Sequence, residues 1–157
     1  MTIIRRVARP MLAAVFVSSG IDTLKHPEKR VENAGPVTDK LGSSLPLPDD
    51  TEQLVKVNAG VQVGAGILLG LGRFPRLAAA ALAGSLVPTT AAGHRFWDEE
   101  DPATRAQQRL HFLKNVGLLG GLLLAAVDTA GAPSLGWRAR RAARRVQKVT
   151  MHALPGD

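Results

Sequence analysis

Charged residues along this chain are segregated, and the gaps between them mark out the elements. Between Val7 and Leu24, Leu54 and Leu71, Leu77 and Gly93, and Phe112 and Val127, Lys, Arg, Asp and Glu are sparse, while they crowd the intervening stretches. Apolar segments of about 17–20 residues approach the length that crosses a hydrocarbon core. The pattern therefore predicts an all-α fold, a polytopic membrane four-helix bundle over residues 1–135. Its spans are expected at about 7–25, 53–72, 76–94 and 110–130, with a basic tail at 136–157. The first segment also fits a signal peptide, with Arg5, Arg6 and Arg9 as its n-region and Met11 to Val17 as its apolar stretch. Asp22 and Lys25 follow directly with no clear small-x-small cleavage site, which favours a retained span.

Turn residues fall where this division needs them. Leu45-Pro46-Leu47-Pro48, then Asp49, Asp50 and Thr51, reads as an extended loop ending in a helix start, with an Asp or Thr cap and Glu52 in the first turn. Gly70, Gly72 and Arg73-Phe74-Pro75-Arg76 make a tight connection, so the second and third helices form an antiparallel hairpin. Pro88 can kink the third helix near its far end. A loop is expected from His94 to Arg109.

Mean hydropathy is only +0.04, an average over segregated halves. The net charge of +7 could suggest nucleic acid, but its placement follows membrane logic instead. Arg5, Arg6, Arg9, Arg73, Arg76 and the tail residues Arg138, Arg140, Arg141, Arg144, Arg145 and Lys148 fall on one side of four crossings. Segments 25–52 and 95–109 fall on the other, with seven basic residues against ten acidic ones. Cytoplasmic loops carry the excess of Lys and Arg, which places both the N and C termini in the cytoplasm of a multi-pass plasma-membrane protein. With no cysteine, disulfides, thiol redox chemistry and iron–sulfur clusters are excluded.

In lipid, helices associate through small residues and polar contacts. Gly60, Gly64, Gly66 and Gly70 in the second helix, with Gly117 and Gly121 in the fourth, are the expected packing surfaces of the bundle, and a homo-oligomer is a separate expectation. Polar groups at membrane depth are costly and normally have a partner or a task. All four spans bring such groups to the outer half: Asp22 and Lys25; Lys56, Asn58 and Gln62; Thr89, Thr90 and His94; His111, Lys114 and Asn115. A structural network, such as Asp22 paired with Lys56 or Lys114, would explain them. So would a ligand pocket formed by Asp22, Lys56, Asn58, His94, His111, Lys114 and Asn115. His94 and His111 could hold a haem between two imidazoles, but histidines satisfied by neighbours are the commoner arrangement, and haem is not expected. No metal site is expected, and no catalytic signature stands on its own.

Several residue groups resemble the DoxX family of small four-helix bacterial membrane proteins. They are Arg9-Pro10, the Phe16 to Gly20 region ending in Asp22, Leu24 and Lys25, Asn58 with Gly60, Gly72-Arg73-Phe74-Pro75-Arg76, His94 to Trp97, and His111, Lys114 and Asn115 with Gly120 and Gly121. The resemblance implies membership of membrane redox assemblies. Archaeal relatives are subunits of a thiosulfate:quinone oxidoreductase, and an actinobacterial relative is associated with a superoxide dismutase and a sulfurtransferase. The expectation is thus an integral membrane subunit supporting a redox or oxidative/thiol-stress complex, an accessory subunit of an oxidoreductase. Its outward pocket would take a quinone headgroup, lipid or small sulfur oxyanion, and its partners would be the lipid bilayer and other subunits of the complex. Two further readings are a scaffold recruiting soluble partners through its basic tail and a small-solute transporter.

Overall fold

The structure, a computed structural model, describes residues 2–32, 34–35, 50–128 and 144. The expected loop at 36–49 and, except for Arg144, the basic tail at 136–157 lie outside these residues. Four long helices follow one another: α1 (Thr2–Lys25), α2 (Thr51–Gly70), α3 (Pro75–Gly93) and α4 (Pro102–Val127). Residues 28–32 add a short helical stretch, and no strand occurs among the described residues. The all-helical expectation is met.

Local chemistry sets the boundaries. The Asp50 carboxylate accepts the Glu52 amide at 2.9 Å and starts α2. At its other end, Gly72 donates to the Leu69 carbonyl and Arg73 to the Leu68 carbonyl, the paired closure that a left-handed residue allows. Gly72 supplies that residue at φ 69° without strain. Phe74 also lies left-handed, at φ 49°, where a side chain costs about 1–2 kcal/mol. Pro75 then opens α3, its missing N–H falling where no intrahelical acceptor exists.

Two helices begin before the apolar spans expected within them, and residues 102–109, expected as loop, are helical. α1 begins at Thr2 rather than near 7, and α4 begins at Pro102 rather than near 110, leaving a shorter connection after His94. A hydropathy pattern marks only the apolar part of a helix, whereas the cap marks its start. The Asp101 carboxylate receives both the amide and the hydroxyl of Thr104 at 2.8 Å. Those two bonds hold its pKa below the ordinary value.

The helices pack in chain order, α1 on α2, α2 on α3 and α3 on α4, with only thin contact between α1 and α4. One apolar core joins them, built from Ala13 and Phe16, Ala65 and Leu69, Ala78, Ala79, Leu82, Ala83 and Leu86, and Leu122. Arg76 donates to the Ala126 carbonyl at 2.9 Å and ties the start of α3 to the end of α4.

Polarity is inverted relative to a water-soluble protein. Leu68, Leu77, Val87, Leu113, Leu123 and Leu124 are exposed, while Gln62, Ser85 and Thr90 are buried. α1 and α4 are each long and apolar enough to cross a membrane unaided. α2 and α3, though 20 and 19 residues long, carry the polar residues that face inward.

Glycine packing differs from expectation. Within the chain, a Cβ added at Gly60, Gly64 or Gly117 would meet nothing within 4 Å, so these three are not packing positions of the bundle. They lie on exposed helix faces. At Gly66 it would meet Val17 Cγ2 at 2.7 Å, at Gly70 Ala13 Cβ at 3.5 Å, and at Gly121 Leu12 at 3.8 Å. The tightest position on α1 is Gly20, where it would meet Val63 Cγ2 at 2.8 Å and the Ala59 carbonyl at 2.9 Å. Gly20→Ala is therefore expected to cost about 1–3 kcal/mol, the usual range for an overpacked core. Gly64→Leu should leave the melting temperature in detergent unchanged, and both are read by thermal unfolding. The first turn of α4 should exchange its Thr104 amide faster as pH falls through the lowered Asp101 pKa, with full protection above the ordinary carboxylate range. Hydrogen exchange against pH reads this, and Asp101→Ala should remove the dependence.

Candidate functional site: a polar network at one end of the bundle

The interior is stratified along its length. One half holds the apolar core, closed by Leu69, Leu82 and Leu122, which have no exposed surface. The other half, toward the end of α3, holds hydrogen-bonding groups. The reason starts with two adjacent threonines. Successive helix positions point 100° apart, so Thr89 faces α2 while Thr90 faces α4.

Each threonine first satisfies its own helix. Thr89 donates its hydroxyl proton to the Ser85 carbonyl and Thr90 to the Leu86 carbonyl, both at 2.8 Å. The hydroxyl oxygens are then free to accept. Thr89 receives the amides of Asn58 at 3.0 Å and Gln62 at 3.3 Å, and Thr90 receives the amide of Asn115 at 3.0 Å. Three helices are bridged by side-chain bonds between uncharged groups. One turn along from Thr89, on the face that meets α2, the buried Ser85 hydroxyl has no hydrogen-bond partner.

Beyond the threonines, the mouth of the network contains histidine. The His94 ring, at the end of α3, stacks on His111 of α4 with centroids 5.2 Å apart and planes 17° from parallel. His94 Nδ1 lies 2.8 Å from Gln108 Oε1 and donates to it. Ring lone pairs lie in the ring planes, so two nearly parallel stacked rings cannot both aim at one central iron. The pair does not fit haem, and no group of three or more metal-ligating side chains occurs among the described residues. Phe96, Trp97 and Phe112 form an edge-to-face triad beside the histidines, with centroids 5.1–6.1 Å apart.

Of the seven residues expected to line a pocket, Asn58, His94, His111 and Asn115 are brought together here. Lys114, three residues along α4 from His111, is exposed at the edge. Asp22 and Lys56 are not part of the network. Asp22 lies on the exposed face of α1, and Lys56 pairs with Glu52 at 2.6 Å on the exposed face of α2. An ion pair between Asp22 and Lys56 or Lys114 is therefore not formed. Helix periodicity gave their depth, but the direction each faces depends on neighbours that a single helix does not reveal. Gln108 is not apparent from the apolar pattern, because Arg105 and Arg109 interrupt it across residues 102–109. Continuing the helix back from His111 puts it on the same face.

An apolar exterior around a hydrogen-bonded interior defines a helical protein of the lipid bilayer. The DoxX family model matches residues 5–95, more than half of the chain, and the protein belongs to that family. The inner membrane protein YphA of Escherichia coli (strain K12) is 29% identical over 130 residues, 82% of this chain and 85% of that protein. No solved structure matches. This chain is a bacterial inner-membrane protein. The matched region ends at residue 95, so His111, Lys114 and Asn115 lie beyond it.

Replacing Thr90 by Val keeps the shape and removes the acceptor for Asn115. Helix-bridging hydrogen bonds in membrane proteins average about 0.6 kcal/mol and reach about 1.7 kcal/mol. Thr90→Val and Asn115→Leu should each destabilise within that range, and a double-mutant cycle should show positive coupling.

Proposed function

We propose that the protein crosses the inner membrane four times with both termini in the cytoplasm. It serves as an accessory subunit of a redox or thiol-stress complex, and its polar end binds an uncharged carbonyl headgroup of the quinone type. The observation that carries this reading is the Ser85 hydroxyl, buried one helical turn from Thr89 with its proton uncommitted. Thr89 and Thr90 have given theirs to helix carbonyls. A buried donor without a partner is costly and suits a ligand acceptor. When bound, a quinone supplies a reversible two-electron carrier. Ser85 would donate to its carbonyl oxygen, one turn from the Thr89 hydroxyl that Asn58 and Gln62 already engage.

Charge favours this over a sulfur oxyanion. Lys56 is paired outward and Lys114 is exposed, so an anion among Asn58, Gln62, Ser85 and Thr89 would be buried without a counter-charge. The continuous apolar half counts against a through-going transport path.

Ser85→Ala separates function from stability. It should leave the melting temperature unchanged or raised, because no bond is lost. It should also weaken binding of a short-chain quinone, read by quenching of Trp97 in a Trp137→Phe background, by about ten-fold. Failure of the wild-type protein to bind the quinone overturns the reading.

A further inference from the structure

The end opposite the polar network carries a cluster of arginines that the proposed function does not use. Arg9, in α1, reaches the connection between α2 and α3: a Cβ placed on Gly72 would lie 3.4 Å from its guanidinium. Arg6 precedes Arg9 by three residues and so shares its face of the helix. Arg73 follows Gly72 directly. The α2–α3 connection thus has the Arg9 guanidinium beside it and carries Arg73 itself, with Arg6 about one turn away along α1. Arg6 and Arg73 are exposed, and their side chains make no hydrogen bond or ion pair among the described residues.

The same connection presents large apolar side chains outward. Leu71, Phe74 and Leu77 are 70%, 69% and 71% exposed. Phe74 keeps this position in a left-handed conformation that a side chain adopts only at a cost. A cationic rim beside an apolar wall matches one kind of molecule, an anion attached to a hydrocarbon chain. Arginine forks also suit phosphate oxygens in pairs.

We propose that Arg6, Arg9 and Arg73 hold the phosphate of an anionic phospholipid whose acyl chains lie along Leu71, Phe74 and Leu77. The site is local, distinct from the general attraction of a basic surface to an anionic leaflet. Free phosphate offers the same oxygens without the chain that the apolar wall would contact.

Native mass spectrometry of the intact chain in detergent tests this, with phosphatidylglycerol and phosphatidylcholine offered together and inorganic phosphate in a separate arm. One phosphatidylglycerol should be retained per chain in preference to phosphatidylcholine. Arg6→Gln/Arg73→Gln should weaken retention by about 30-fold, since each surface charge is worth about 1 kcal/mol. Lys29→Gln/Arg109→Gln, an equal loss of charge at the other end, should retain it as the wild type does. Hydrogen exchange on the wild type covers the case in which the arginine variant does not fold. Phosphatidylglycerol should protect residues 70–77 and leave 94–101 unchanged. Equal loss in both double variants, no preference over phosphatidylcholine, protection of both segments alike, or equal thermal stabilisation by inorganic phosphate would overturn the proposal.

Discussion

Hydrogen-bonding groups placed where lipid surrounds the protein have no water to fall back on, and this constraint organises the bundle. Thr89 and Thr90 answer it for three helices at once. Each returns its proton to its own backbone and offers its oxygen to a neighbour, Thr89 to Asn58 and Gln62, Thr90 to Asn115. The arrangement also accounts for the polar residues that α2 and α3 carry within otherwise apolar helices. Their polar residues face one another, and the outer helices cover them.

The two halves of the interior do different work. Small side chains on α3, Ala78, Ala79 and Ala83, let the backbones approach, and Leu69, Leu82 and Leu122 fill what remains. Close approach supplies the dispersion contacts that replace a hydrophobic drive in lipid. The polar half is held by fewer, directional bonds, so it can leave one hydroxyl, Ser85, unsatisfied without loosening the rest.

Depth was legible in the sequence and direction was not. The order of apolar and charged stretches gave four helices and put Asn58, Thr89, Thr90, His94, His111 and Asn115 at a common level. It could not say that Asp22 and Lys56 turn away from that level, because a helix shows its own faces without showing which neighbour each one meets. The same gap holds for the glycines. Gly60 and Gly64 have the spacing of a packing motif but look outward, whereas Gly20 has no such spacing and sits against Val63 and the Ala59 carbonyl. The start of α4 was missed for another reason. Arg105 and Arg109 interrupt an apolar pattern but not a helix, and the signal that mattered was Asp101 as a cap.

The length of α4 has a geometric consequence. Its 26 residues rise about 39 Å, more than the roughly 30 Å of a hydrocarbon core. On the proposed four-span crossing, that surplus would be taken up by tilt or stand in the headgroup layer, where the edge-to-face triad of Phe96, Trp97 and Phe112 is suited to lie. On that reading the stacked imidazoles beside the triad would lie at the same boundary. There a proton from the aqueous phase and a headgroup from the lipid phase would reach the same pair of rings from different sides.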